Sequence, residues 1–161
     1  MSSIGGDLAQ NVSRCITEAF PDAVIIGTDI SSKNAGKFFA NKVYMIAKAE
    51  DPQFYDQLKL ILNQEEPDYY IPLSEAELRA LAKSPNEFLE NILGQTEIIW
   101  SKSKVLSLFL SKISTVNYLE SIGLLTPRTY TNADNLIESD FPLIVKPDQG
   151  SGSKKIFICR N

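Results

Sequence analysis

The first hundred residues of the chain alternate short apolar runs with stretches of helical spacing. The apolar runs, each of the length of a buried strand, fall at residues 23–27, 42–46, 69–72 and 97–100. Ahead of the first run, residues 8–19 carry apolar side chains at helical spacing. Parallel strands need a crossover between them, usually a helix. The alternation therefore predicts an α/β fold in which a parallel sheet is covered by helices.

Three sequence patterns mark where helices begin. Asp51 followed by Pro52 predicts a helix start, with aspartate as the cap and proline at the first helical position. Residues 74–77 and 84–87 each have the capping-box pattern of serine followed three residues later by glutamate. Two successive helices are therefore expected, the second ended by Gly94.

The alternation of strands and helices ends near Ser101. Apolar residues at helical spacing predict one or two helices over residues 105–122, ending at Gly123. We place a domain boundary near Ser101. The first domain then spans residues 1–100, and a partial α+β domain spans residues 101–161.

The end of the chain predicts a hairpin around a Gly/Ser loop. After a short polar helix expected near residues 132–138, the runs 143–145 and 156–158 can pair as antiparallel strands. Lys146 stands on the first strand. Backbone amides and hydroxyls suit an anion, and the loop supplies them from Gly150, Ser151, Gly152 and Ser153. The pattern would suit a phosphate site, but taken alone it favours a surface loop with a solvated lysine.

Composition excludes several classes of function. The 161 residues contain no histidine, which removes Ser-His-Asp and Cys-His catalysis and most zinc sites. A net charge of -4 argues against nucleic-acid binding. No apolar run approaches the roughly 18 residues of a membrane span. Cys15 and Cys159 lie far apart, and we expect reduced, buried thiols in a cytoplasmic protein.

The motifs from Lys112 onward resemble the opening of the ATP-grasp nucleotide-binding fold. Lys112 in a helix is followed by residues 123–127 (Gly-Leu-Leu-Thr-Pro), by residues 141–147 (Phe-Pro-Leu-Ile-Val-Lys-Pro) and by the Gly/Ser loop. The upstream segment resembles the Rossmann-like pre-ATP-grasp domain of carbamoyl-phosphate-synthase-like ligases. The resemblance covers the whole chain and is more specific from Lys112 on.

The resemblance implies the N-terminal part of an ATP-dependent carboxylate–amine ligase, or a related one, that forms an acylphosphate in the cytoplasm. Its cofactors would be ATP and Mg²⁺, and its substrates a small-molecule carboxylate and a nucleophile. Lys112 and Lys146 are assigned to the ATP phosphates. The flap over those phosphates is assigned to Gly150, Ser151, Gly152 and Ser153.

The resemblance gives no residue of this chain a catalytic or metal-binding role. The family's adenine-contacting hinge and Mg²⁺ ligands would lie beyond Asn161. We therefore expect the chain alone to be inactive, with weak or absent ATP binding. Two residues depart from the family pattern: Ser111 stands where aspartate is common, and Lys155 where glycine is usual. Neither departure abolishes contact with phosphate.

Gly5 and Gly6 form a degenerate glycine turn rather than a full dinucleotide fingerprint. In the family, the carboxyl ends of the strands face the acceptor-substrate cleft. The resemblance therefore makes Gly5, Gly6 and Asp29 rim residues of that cleft. Because only residues 1–4 precede the turn, they are either a short edge of the sheet or the remnant of a lost first strand.

Glu77 has two interpretations. It follows Ile71-Pro72 in a manner that resembles the family's I-P-x-x-x-x-E segment, which would make it a substrate-binding residue. It is also the glutamate of a capping box, and we favour the cap.

Two other functions stay open at this point. The chain could be a stand-alone, non-catalytic nucleotide- or ligand-binding module. It could also be a dinucleotide-binding Rossmann enzyme, as the glycine turn and Asp29 suggest. In either case the exposed edge of the hairpin could pair with a second copy in a homodimer.

Overall fold

The computed structural model describes residues 1–101, 103–134, 136–150 and 155–160. The chain divides into two compact units, Met1–Ser101 and Lys102–Asn161. Ser151, Gly152 and Ser153 of the expected flap lie outside the described residues.

The first unit is a mixed α/β structure, as predicted. Its helices are α1 (Asp7–Ala19), α2 (Phe54–Glu65), α3 (Glu75–Lys83) and α4 (Asn86–Leu93). Its strands are β1 (Ile26–Asp29), β2 (Lys42–Met45), β3 (Tyr69–Tyr70) and β4 (Glu97–Ile98). A short 3-10 helix spans Gly36–Phe38. β1 pairs with β2 and β3 with β4, both in parallel.

The first residues of the chain link the two strand pairs. The Met1 nitrogen donates to the Ile26 carbonyl over 2.7 Å, and the Thr28 N–H donates to the Met1 carbonyl over 2.9 Å. This alternation of donor and acceptor is that of parallel strands. On the other side, the Ser2 N–H donates to the Ile71 carbonyl, which directly follows β3. Residues 1–4 therefore lie between the pairs and not at an edge of the sheet.

The Ile4 side chain packs residues 1–4 against β1. It is fully buried. A Cβ atom on Gly27 would lie 2.6 Å from Ile4 Cγ1, which is too close for two carbon atoms. Glycine at position 27 therefore lets the strand approach the isoleucine.

A second cluster of buried side chains forms the main core of the unit. Phe54 and Leu58 of α2 are almost fully buried, together with Leu81 of α3 and Leu89 of α4. Burying each such side chain contributes about 1.5–3 kcal/mol. This core fixes the helices that follow β2 and β3.

The predicted start of α2 was wrong by two residues. The N-cap is Gln53, and the helix begins at Phe54. The Asp51 side chain accepts from the Gln53 N–H over 2.9 Å, and its carbonyl accepts from the Phe54 N–H over 3.0 Å. Asp51 and Pro52 therefore form a turn ahead of the helix.

The two predicted capping boxes were also wrong. Ser74 is the N-cap of α3, but its side chain makes no cap hydrogen bond. The N-cap of α4 is Pro85, and the Ser84 hydroxyl donates instead to the Ala80 carbonyl over 3.1 Å. The predicted end of α4 is confirmed, because Gly94 is its C-cap with φ +60°.

In its described residues the second unit has two α-helices and an antiparallel hairpin, as predicted. The helices are α5 (Ser103–Phe109) and α6 (Lys112–Ser121). The strands are β5 (Leu143–Val145) and β6 (Phe157–Cys159), with Leu143 opposite Cys159.

The polar helix expected near residues 132–138 is not found where the structure describes that segment. A 3-10 helix spans Glu138–Asp140 instead. The Asp140 carboxylate accepts from the Ile137 N–H over 3.0 Å, from the Tyr130 hydroxyl over 2.6 Å and from Arg128 over 3.0 Å. These bonds hold the 3-10 helix against the extended segment that contains Arg128 and Tyr130. A helix over residues 132–138 would not allow them.

The prediction that both cysteines are buried was wrong for Cys15, which lies exposed on α1. Cys159 is partly buried, and both thiols are free.

Candidate functional site

The first turn of α6 binds the loop that follows β5. Ser111 is the N-cap, and its hydroxyl accepts from the Ser114 N–H over 3.0 Å. Asp148, just after the Lys146-Pro147 pair, accepts from the Ile113 N–H through Oδ1 over 2.9 Å. The Ser111 hydroxyl donates to the same oxygen over 2.9 Å. A carboxylate at this end of a helix is favoured by the helix dipole.

Lys112 adds a second set of contacts to the same loop. Its ammonium donates to the Asp148 carbonyl over 3.1 Å and to the Gly150 carbonyl over 3.0 Å. Its backbone N–H also donates to the Asp148 carbonyl, over 3.2 Å. The structure therefore brings Lys112 to the start of the Gly/Ser loop.

Two charges of opposite sign lie at the start of α6, the Asp148 carboxylate and the Lys112 ammonium. Hydrogen bonds, first from the Ile113 N–H and then from Ser111 and Lys112, hold the pKa of Asp148 below its usual range. This carboxylate occupies the helix N-terminus that an anion would otherwise use. An ammonium has three donors, and the third N–H of Lys112 has no acceptor among the described residues.

Lys146 is exposed at the end of β5. In the described part of the chain its ammonium has no hydrogen bond or ion pair. Its charge is therefore available to a ligand in this unit, although the structure shows no contact between Lys146 and Lys112.

In the first unit, Asp29 binds the glycine turn. Its Oδ2 accepts from the Gly5 N–H over 3.0 Å, and its Oδ1 accepts from the Ser31 N–H over 3.0 Å. The Asp29 carboxylate thus accepts the hydrogen bond from the Gly5 amide that a phosphate would otherwise accept. Gly6 precedes α1 as its N-cap in extended conformation. The structure therefore brings Gly5, Gly6 and Asp29 together at the carboxyl end of β1.

Glu77 belongs to a buried polar cluster at the carboxyl end of β3. Glu77 is 5% exposed, and its neighbours Ser2 and Tyr70 are buried as well. Within the described residues, neither Glu77 Oε2 nor the Tyr70 hydroxyl has a hydrogen-bond partner. Buried polar atoms of this kind are costly unless a partner satisfies them.

Burial raises the pKa of Glu77 to about 7. Ser2, the Met1 amine and Tyr70 oppose the rise, and the Asp29 carboxylate adds to it. Ser2 and Tyr70 lie near enough to lower the pKa without meeting the geometry of a full hydrogen bond to Oε2. A carboxyl group of this kind can change its protonation near neutral pH, as an acid or base must.

Sequence reasoning missed two features of these sites. The preferred capping role of Glu77 is wrong, because the side chain faces the buried cluster and not the start of α3. The second feature is Asp148, which sequence reasoning did not identify as a site residue although it makes most of the hydrogen bonds between the loop and α6. Its partners stand 35 to 37 residues away, so no local pattern could identify it.

Among the described residues, no helix is long and apolar enough to cross a bilayer. No group of three or more His, Cys, Asp or Glu side chains there could hold a metal ion.

Helices, parallel strand pairs and a helix-bound hairpin make the described part of the chain a mixed α/β structure. One solved structure to which the chain is similar is N5-carboxyaminoimidazole ribonucleotide synthetase from Thermotoga maritima, with a TM-score of 0.58 and 16% sequence identity. The match covers 99% of this chain and 39% of that chain. At this identity the likeness shows the fold alone. No protein-family model and no curated protein matches the chain.

Proposed function

We propose that the chain is part of an ATP-dependent ligase of the carbamoyl-phosphate-synthase-like group. In this proposal Met1–Ser101 is the Rossmann-like pre-ATP-grasp domain, with the order β2, β1, residues 1–4, β3, β4 across one sheet. Lys102–Asn161 is the beginning of the ATP-grasp domain. The single observation that carries the proposal is the bonding of the Lys112 ammonium to the Asp148 and Gly150 carbonyls.

The residues present fit the phosphate chain of ATP in part. Lys112 keeps one N–H without an acceptor in the described residues, and Lys146 is an exposed cation at the end of β5. Both charges would lower the energy of a polyphosphate in a partly dehydrated site. ATP, when bound, would supply the phosphoryl group that activates a carboxylate. The described residues offer no carboxylate cluster for Mg²⁺, so we assign the metal no ligand in this chain.

Lys112 would do two things in such a site. It holds the start of the Gly/Ser loop against α6, and it directs its remaining N–H to the ligand. Catalysis of phosphoryl transfer depends on positioning and on neutralising charge. A loop fixed at one end can close over phosphates while its origin stays in place.

The first unit would supply the cleft for the acceptor substrate. Gly5, Gly6, Asp29 and Glu77 gather at the carboxyl ends of the strands, where ligands bind in open α/β sheets. The Asp29 bond to Gly5 favours this function over dinucleotide binding, because it puts a negative charge on the amide that a pyrophosphate would need.

Titration calorimetry with Mg·ATP tests the proposal in two proteins. For the 161-residue chain we expect weak or absent binding, because its described residues offer no cluster of ligands for Mg²⁺. For the protein encoded by the complete reading frame we expect binding and ADP formation that depend on a carboxylate. Micromolar affinity in the 161-residue chain would contradict the proposal. A reading frame that stops at Asn161 would contradict it as well and would favour a stand-alone module.

A further inference from the structure

An open apolar groove runs beside α1 in the first unit. Its volume is about 1280 Å³. It is lined by Val12 and Ile16 of α1, by Val24 and Ile26 before and at the start of β1, and by Ile71 and Ile99 just after β3 and β4. Phe20, at the end of α1, is 67% exposed, and Val24 is 71% exposed. Small-molecule pockets are usually about 300–1,000 Å³ and more enclosed. This groove is large and open enough for a segment of protein.

Acidic side chains surround the mouth of the groove. Asp22, Glu66 and Asp68 line it and are exposed, and within the described residues their carboxylates make no hydrogen bond or ion pair. Glu65 also lines it, but Lys42 pairs with that carboxylate over 2.8 Å. Neither lysine nor arginine occurs among the described residues that line the groove. We call this feature, apolar walls with Asp22, Glu66 and Asp68 at the mouth, the acidic-rimmed groove.

We propose that the acidic-rimmed groove binds an amphipathic helix of a protein partner, with an apolar face and flanking lysine or arginine residues. Apolar side chains at helical spacing would bury the walls, as in other helix-in-groove complexes. Basic side chains would meet the three carboxylates at the mouth, which gives the complex its specificity and speeds its formation. The phosphates of nucleic acids and of anionic membranes carry the charge that this rim repels.

Three labelled peptides of equal length test the proposal by fluorescence anisotropy against the 161-residue chain. The first has leucine on one helical face and lysine elsewhere. The second has the same leucines with glutamate in place of lysine. The third has the composition of the first in an order without an apolar face. We expect the first peptide to bind at least about tenfold more tightly than either of the others.

Charge reversal locates the binding surface. The variant D22K/E66K/D68K should bind the first peptide at least about tenfold more weakly than the wild type does. Its matched control, E50K/E87K/E90K, makes the same change of charge at exposed positions away from the groove and should have a much smaller effect. Phe20→Ser removes an exposed apolar side chain of the groove without changing charge, and it should also weaken binding.

Several results would overturn the proposal. Equal binding of the first and third peptides would show that no apolar face is recognised. Equal loss in the two charge-reversal variants would show attraction to net charge alone. Unchanged binding in Phe20→Ser would place the peptide elsewhere. Concentration-dependent self-association of the chain that Phe20→Ser abolishes would assign the groove to a second copy.

Discussion

The ammonium of Lys112 donates to the backbone carbonyl of Gly150 over 3.0 Å, joining two residues that are 38 positions apart in the chain. The same ammonium holds the Asp148 carbonyl. The lysine thus fixes the origin of a glycine-rich loop to the start of a helix. The Lys112 side chain therefore helps to hold residues 148–150 against α6.

Replacing Lys112 with methionine should loosen the loop. The methionine side chain would keep most of the volume but lose both side-chain bonds to the carbonyls. Amide hydrogen exchange in residues 148–150, followed by mass spectrometry, should become faster by about tenfold, since the opening of local structure depends on such bonds. Lys104→Met in α5 is the control, and equal exchange rates in the two variants would contradict the role of Lys112.

Asp148→Asn should destabilise the second unit in a way that depends on pH. The pKa of Asp148 is lowered in the folded state, first by the Ile113 N–H. The stabilisation by its charge is therefore present above the unfolded pKa of about 4 and is lost as the pH falls through the lower folded value.

Urea unfolding of the wild type and of Asp148→Asn, followed by a probe in the second unit, measures this effect. The difference in unfolding free energy should be largest near neutral pH and should shrink below about pH 4. Asp134→Asn changes an exposed aspartate as the control. A difference that does not vary with pH would show that charge on Asp148 has no such role.

Glu77→Gln should change the pH dependence in the opposite direction. Burial raises the folded pKa of Glu77 to about 7. Its protonated form stabilises the fold fully below the unfolded pKa of about 4.3, and this contribution is lost as the pH rises through 7. Glutamine carries no charge at any of these pH values. Glu77→Gln should therefore be more stable than the wild type at pH 8, by up to about 3 kcal/mol.

Chemical unfolding of both proteins between pH 4 and pH 8 checks this prediction. The Met1 amine, whose pKa burial lowers to about 6, titrates in the same window but is common to both proteins. Asp29 and Tyr70 also face Glu77 and are unchanged. Glu87→Gln, at an exposed position, serves as the control. If the wild type and Glu77→Gln stay parallel across this range, the buried carboxyl does not take up a proton on folding.

Gly27→Ala should destabilise the first unit through Ile4. The added Cβ would lie 2.6 Å from Ile4 Cγ1, and overpacking of this kind costs about 1–3 kcal/mol. Ile4→Ala alone should cost about 2–5 kcal/mol because it leaves a cavity. In the double variant the alanine at position 4 makes room for the new methyl group. Thermal unfolding should therefore show a cost smaller than the sum of the two, and strict additivity would contradict direct contact.

The features that could be predicted from the sequence are those that depend on residues close together in the chain. Helix α1, the two helices before Gly123 and the terminal hairpin all follow from the spacing of apolar residues, and Gly94 ends α4 because glycine adopts positive φ without strain. The alternation of strands and helices likewise indicated the parallel pairs.

The errors arose where distant parts of the chain compete with local signals. The glutamate of a good capping box, Glu77, is drawn into a cluster with Ser2 and Tyr70. Asp148 accepts from the Ile113 N–H and the Ser111 hydroxyl, which lie 35 and 37 positions earlier in the chain. Contacts of this range depend on the folded chain and leave no periodic trace in the sequence.

The most direct test of the proposed ligase is the rate of ADP formation by the protein encoded by the complete reading frame, with Lys112→Met, Lys146→Met and the control Lys104→Met. We expect ADP formation that depends on a carboxylate, that falls at least about tenfold in the first two variants and that persists in the control. ADP formation that is equal in all three variants and the wild type would contradict the assignment of these lysines to the phosphates of ATP.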